Sequence, residues 1–226
     1  MKWWAAKLVR IAGVTLRVEG HPPRASEKAV MIAANHISWL DIFAVMAVWP
    51  TRFVAKSEIR DWPGAGWIAE RAGTLFIRRQ RRRDIAPMNE KVHAVLADGD
   101  CVGIFPEGMT SEGHHLLKFH TSLFEPAMAN GAHLHPVAIR YEHADGRLAT
   151  EMAYVGELSF MQSMARVVAA RGVVVRVMFG TRVDCAAVGD RREAARLTRS
   201  RIASLLGLDP EGSPPGTRGD PPAAPP

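Results

Sequence analysis

Residues 29–48 read Ala-Val-Met-Ile-Ala-Ala-Asn-His-Ile-Ser-Trp-Leu-Asp-Ile-Phe-Ala-Val-Met-Ala-Val. The first six are wholly apolar and too few for a helix, the pattern of a strand buried on both faces. Asn35 and His36 leave that strand. Ser38 offers a helix N-cap, and Asp41 follows three residues later at the acid position of a capping box. Leu40, Ile42, Phe43, Val45 and Met46 then carry a helix over residues 40–48 to Pro50. A doubly buried strand feeding a helix is the building unit of an α/β layer fold.

The same alternation runs outward along the chain. Strand-like runs fall at 14–18, 30–34, 52–55, 74–77, 102–105, 134–139, 152–155 and 173–179. Helical patterns fall at 40–48, 64–71, 85–97, 123–130, 160–169 and 191–206. The expected fold is α/β, a mixed, largely parallel sheet flanked by helices. Residues 18–208 would form one domain, preceded by an amphipathic helix over 1–17 whose end overlaps the first strand-like run. Residues 209–226 are rich in Pro and Gly and cannot bury a core, so disorder is expected there.

His36 would sit on a strand-to-helix turn and Asp41 in the first helical turn, where the helix dipole favours its charge. Histidine can take a proton from an alcohol near neutral pH. A neighbouring carboxylate fixes its tautomer and stabilises the imidazolium that forms. No nucleophilic serine is required if the substrate brings its own hydroxyl. Taken alone, the spacing more often means a helix-capping Asp and a loop His bonded to backbone.

A second stretch, residues 105–111, reads Phe-Pro-Glu-Gly-Met-Thr-Ser after the apolar run 101–104. It places Glu107 at a strand end, where open α/β sheets collect their ligands. Arg78, Arg79, Arg81, Arg82 and Arg83 form a third feature, suited to phosphate or carboxylate. A charge run is more often a solvated face, and that reading suits Arg81–Arg83. The cluster lacks interleaved aromatics and any nucleic-acid module, so no nucleic acid is expected as partner. His114, His115 and His120 have no acidic or thiol partner at ligand spacing, and no metal is expected. His133 and His135 read as packing or polar contacts, and Cys101 and Cys185 as ordinary buried thiols.

With these stretches in order, the chain resembles the glycerolipid (lysophospholipid) acyltransferase family. Asn35, His36 and Asp41 match its Asn-His-x4-Asp motif. Residues 73–79, Gly-Thr-Leu-Phe-Ile-Arg-Arg, match its Gly…Phe-Ile-x-Arg motif. Phe105 to Gly108 match Phe-Pro-Glu-Gly, and Pro136-Val137 match the fourth motif, with residues 54–58 resembling the segment between the first two. The resemblance spans about residues 28–180. It implies that His36 is the general base, oriented by Asp41. The acceptor hydroxyl would attack an acyl-CoA or acyl-carrier-protein thioester directly. Arg79 would bind an anionic head-group, Glu107 with Gly108 would position the acceptor, and Pro136 would shape the wall near the acyl chain. No cofactor beyond that donor is implied.

The implied activity is transfer of a fatty acyl group to the free hydroxyl of 1-acyl-sn-glycerol-3-phosphate, giving phosphatidic acid. One position departs. Members acting on that acceptor carry Thr-Arg after Phe-Pro-Glu-Gly, whereas this chain has Met109-Thr110. Residues 111–113 and 118–125 are more similar to the lyso-ornithine lipid O-acyltransferases, the alternative reading. Lys56 and Lys118 are the cations available to replace the missing one. A non-catalytic membrane lipid-binding protein is the reading from another class, but binding alone needs no base.

Composition bounds the rest. The 226 residues, 47% apolar, suffice for one sizeable core. Two cysteines fit a reducing compartment rather than a disulfide scaffold. The net charge of +6 is uneven: residues 1–83 hold 15 Lys/Arg against 6 Asp/Glu. No uncharged run of about 18 apolar residues occurs, so no transmembrane helix is expected. Residues 1–17 instead place Lys2, Lys7, Arg10 and Arg17 within one arc, with Trp4, Leu8 and Ile11 on another side. That pattern suits a helix lying in a membrane interface, a helix packed on the core being the alternative. A peripheral or monotopic place on the cytoplasmic face of the inner (plasma) membrane is the expectation.

Overall fold

The computed structural model describes residues 2–61, 65–77 and 85–210. Its centre is β2 (Val30–Ala34), buried at every position. Val30, Ile32 and Ala34 face one apolar cluster, and Met31 and Ala33 face the other. Because strand side chains alternate, a strand covered on both sides must be apolar throughout, and this one is.

Around it the strands are β1 (Val14–Gly20), β3 (Arg52–Lys56), β4 (Leu75–Ile77), β5 (Cys101–Ile104), β6 (His133–Glu142), β7 (Val173–Phe179) and β8 (Val183–Asp184). Their order is β1-β7-β6-β2-β5-β3-β4, with β8 beside β6. β2 runs parallel to β5 and β6, β3 to β4 and β5, and β1 to β7. Only β7 and β8 lie antiparallel to β6. The mixed, largely parallel sheet is as the alternation of runs predicts.

The helices are α1 (Lys2–Ile11), α2 (Asp41–Val48), α3 (Ala65–Arg71), α4 (Ile85–Ala97), α5 (Glu125–Ala129), α6 (Phe160–Ala169) and α7 (Arg191–Leu206). Side chains of α1, α2 and α6 enter the first cluster; those of α4, α5 and α7 enter the second. No helix among the described residues is long and apolar enough to cross a membrane.

Four expectations are corrected. The first helix stops at Ile11, where Gly13 adopts φ 76° and turns the chain into β1, so Arg17 lies in a strand rather than on a helix spanning 1–17. The run 152–155 is not a strand: Thr150–Met152 is a single 3-10 turn whose Met152 is buried, its apolar content serving packing rather than pairing. The helix expected over 123–130 is a 3-10 turn, Thr121–Phe124, followed by α5 from Glu125, with Pro126 in its first turn. Ser38 makes only half of a capping box: Asp41 accepts from Ser38 N, but the Ser38 hydroxyl accepts from Leu40 N at 3.4 Å, and Leu40 is the N-cap. The disorder expected over 209–226 concerns residues that, from 211 on, lie outside those described.

Candidate active site

β2 ends at Ala34, yet its neighbour β6 continues to Glu142. Asn35 bridges the difference with its side chain: Nδ2 donates to Ile139 O at 2.9 Å, and Oδ1 accepts from Ile139 N at 2.7 Å. The side-chain amide thus mimics one more residue of strand pairing while the backbone turns away. His36 is thrown forward at the carboxyl end of the sheet.

Asp41, fully buried, holds that turn. Its Oδ2 takes His36 Nδ1 at 2.8 Å, Ile37 N at 2.7 Å and Ser38 N at 2.9 Å. Its Oδ1 accepts from the Tyr141 hydroxyl at 2.7 Å. A buried carboxylate is costly unless its lone pairs are filled, and these four donors fill them. With Nδ1–H directed at Asp41, His36 presents Nε2 as the acceptor, and Nε2 has no protein partner among the described residues. Burial, then the charge and hydrogen bond of Asp41, push the Tyr141 hydroxyl well above its ordinary pKa, so it stays a donor.

The imidazole plane is set by stacking. Phe105 lies against His36 with centroids 3.8 Å apart and planes at 9°, and Phe53 backs Phe105 at 5.0 Å and 14°. Gly103 makes room for this stack: a Cβ there would meet the Phe53 ring at 2.5 Å.

Glu107 is 3% exposed. Its Oε1 accepts from His36 N at 3.0 Å and its Oε2 from Leu117 N at 2.8 Å. Burial pushes its carboxyl up to about 7, against the pull of those two N–H donors. Ser111 N donates to His36 O at 2.8 Å, and Tyr154 N to Ile37 O at 2.9 Å. Two loops, the one after β5 and the one carrying Tyr154, are therefore tied to the His36–Ile37 backbone.

His36 opens into a cavity of about 360 Å³, whose wall includes Ile42, Val54, Phe105, Gly108, Met109 and Tyr154. Such a wall suits acyl chain, with a base at one side.

A family model described as acyltransferase matches residues 15–140, a stretch that holds all of His36, Asp41 and Glu107. The chain belongs to the acyltransferase family. This acyltransferase is 41% identical over 172 residues to a 1-acyl-sn-glycerol-3-phosphate acyltransferase of Neisseria meningitidis serogroup B, covering 76% of this chain and 67% of that one. It is 34% identical over 205 residues to a lyso-ornithine lipid O-acyltransferase of Pseudomonas aeruginosa, covering 91% and 77%. The crystal structure of the 1-acyl-sn-glycerophosphate (LPA) acyltransferase of Thermotoga maritima has the same fold, with a TM-score of 0.67 at 20% identity, covering 91% of this chain and 76% of that one.

In this acyltransferase, His36, Asp41 and Glu107 converge although 71 positions separate the first and last. Both oxygens of Glu107 are occupied by backbone, so it shapes the His36 turn, while Gly108 lines the cavity. Pro136 is buried in β6 opposite Ala33 and is not part of the cavity wall. Lys118 is exposed and also lies outside that wall. Lys56 ends β3, but its side chain, like Arg79 and the arginines around it, lies outside what is described. His135 makes the polar contact expected of it, to Glu27 at 2.7 Å, and both cysteines are buried thiols.

Sequence reasoning missed Tyr141 and the stack of Phe53 on Phe105. Phe105 adjoins Pro-Glu-Gly and had a local signal. Tyr141, 100 positions from Asp41, had none.

Proposed function

We propose that this acyltransferase transfers a fatty acyl group from acyl-CoA or acyl-carrier protein to the free hydroxyl of 1-acyl-sn-glycerol-3-phosphate, releasing phosphatidic acid and the thiol. The observation that carries the reading is the buried Asp41 holding Nδ1 of His36 while the imidazole lines the cavity. Nε2 takes the hydroxyl proton as the oxygen attacks the thioester carbonyl. The tetrahedral intermediate collapses with loss of thiolate, which takes the proton back from the imidazolium. Asp41 stabilises that imidazolium throughout and is not itself protonated. Base help of this kind is worth roughly 10²–10⁴ in rate. The 41% identical Neisseria relative supports this acceptor.

A lyso-ornithine lipid acceptor is the second reading, and a specific observation favours it. Met109-Thr110 stands where a cation is expected. The described cavity wall carries the carboxylate of Glu58 and neither Lys nor Arg, a setting kinder to an ammonium-bearing head-group than to a phosphomonoester. Purified enzyme given labelled acyl donor and each acceptor in turn, with products identified by mass spectrometry, separates the two. Product from lysophosphatidate alone rejects the second reading; product from neither rejects both.

The enzyme would work at the cytoplasmic face of the inner membrane, peripherally. Trp3 and Ile11 on α1 are 76% and 65% exposed beside Lys2, Lys7 and Arg10, while Ala5 and Val9 anchor the helix to the core. Both the interfacial and the core-packed readings of this helix thus find support, on opposite faces.

A further inference from the structure

α6 is as amphipathic as α1 and packs into the same core cluster. Its Ser163 and Val167 are buried, and Val167 shares a core cluster with Ala5, Val9 and Ala12. The two helices adjoin at their ends: a Cβ on Gly13 would stand 3.7 Å from Ala170 O. Trp39 ties the start of α6 to α2, packing edge-on against Phe160 at 5.7 Å and Phe43 at 6.1 Å; Phe43 in turn meets Trp4 of α1 at 5.8 Å.

The outward side of α6 resembles that of α1. Met161 is 64% exposed and Val168 49% exposed on one flank of the helix, with Arg166 exposed on the other flank and Arg171 just beyond the helix end. Arg171 donates to Val168 O and Ala170 O, which fixes its charge at the helix C-terminus. Of the seven large hydrophobic residues most exposed among those described, α1 and α6 hold four. Neither helix contains an acidic residue; the nearest on the α6 side is Glu157, ahead of the Ser159 cap.

This layer also faces the right end of the molecule. β7 is antiparallel to β6, so it begins level with the end of β6, beyond the end of β2, and α6 leads directly into it. α6 therefore sits at the sheet end that carries His36. Met109, 64% exposed at the cavity wall, is at that same end.

We propose that the outer faces of α1 and α6 form one composite docking surface for an anionic lipid bilayer, with Met161 and Val168 entering the acyl region and Arg166 and Arg171 at the head-groups. Charge complementarity selects this occupant: Lys2, Lys7, Arg10, Arg166 and Arg171 meet no acid on either helix. A protein partner would be expected to leave mixed charge at the rim, whereas a single sign interleaved with Trp and aliphatic side chains is what a bilayer interface accepts. The proposal rests on the lysolipid reading above and deepens it, since a bilayer on this face delivers a lipid acceptor beside the cavity instead of through bulk water.

The test is co-sedimentation of the full chain with vesicles of phosphatidylglycerol and phosphatidylcholine mixed, against phosphatidylcholine alone. Wild-type protein partitions preferentially to the anionic vesicles. Met161→Ser/Val168→Ser and, separately, Arg166→Gln each weaken that partitioning, the latter about fivefold for its one cation. Acyl transfer in detergent mixed micelles stays at the wild-type level for both variants, which shows that fold and catalysis are intact. Partitioning of either α6 variant equal to wild type, or equal wild-type binding to both vesicle types, overturns the proposal. Loss of sedimentation in the α6 variants of a protein that proves inactive on every lysolipid would uphold the docking face and reject the catalytic reading instead.

Discussion

Tyr141→Phe isolates the one feature of the site that no local sequence pattern announces. The substitution removes a hydroxyl and leaves the ring, so no cavity forms and the packing of a residue only 1% exposed is preserved. What disappears is the one donor to Asp41 Oδ1 among the described residues, while the three donors to Oδ2 remain. A hydrogen bond to a charged, buried acceptor is worth about 1.5–3 kcal/mol. At roughly 2–4 °C per kcal/mol for a chain of this size, the midpoint of thermal unfolding falls by about 3–12 °C. Catalysis should suffer less than stability. His36 Nδ1 keeps its partner, so the tautomer survives and the turnover loss is about tenfold, against about 10²–10⁴ for Asp41→Asn, where the tautomer is lost. Thermal melts, urea titration and thiol release from acyl-CoA in the presence of a lysolipid provide the readouts. A variant within about 0.5 kcal/mol and twofold of wild type would refute the claim that Tyr141 holds Asp41, since effects that small are ordinary for substitutions away from such features.

Further outcomes follow from the same geometry. His36→Ala abolishes lysolipid-dependent thiol release while circular dichroism and urea midpoint stay near wild type; full activity in that folded variant eliminates the base. Gly103→Ala drives a Cβ into the Phe53 ring. It should cost about 1–3 kcal/mol by overpacking and, by tilting the Phe105 stack, lower turnover more than it changes KM, checked by urea titration and steady-state kinetics. Glu107 has a folded-state pKa raised to about 7 by burial, above the 4.5 of an unperturbed Glu. A raised carboxyl contributes stability fully present below about pH 4.5 and lost as pH rises through 7. The stability of wild type relative to Glu107→Gln should accordingly decline between pH 4.5 and 7.5, and urea midpoints that run parallel across that range would contradict it.

The strands and helices that place the site were legible because each follows from local chemistry. An apolar run flanked by turn residues can bury itself only as a central strand, and residues 30–34 obey this at every position. His36 with Asp41 was legible too, though only because the His-x4-Asp spacing stands in order with Phe-Pro-Glu-Gly and the other motifs; alone it fits a helix cap and a loop histidine. The errors fell where tertiary packing outweighs propensity. Met152 is apolar because it fills the core beneath a 3-10 turn, and the N-terminal helix stops at Ile11 because Gly13 turns the chain into β1, which pairs with β7 from Val14.

By itself the sequence determined the layered α/β architecture, the pairing of His36 with Asp41, and the turn that brings Glu107 to a strand end, because periodicity, capping chemistry and short spacings act over a few residues. Only the tertiary structure decided that Tyr141 supports Asp41, that Glu107 clamps backbone at His36 and Leu117, and that the end of α6 meets the end of α1. Those relations join residues tens to over a hundred positions apart. They arise from strand order and helix placement, which local preferences constrain but do not select.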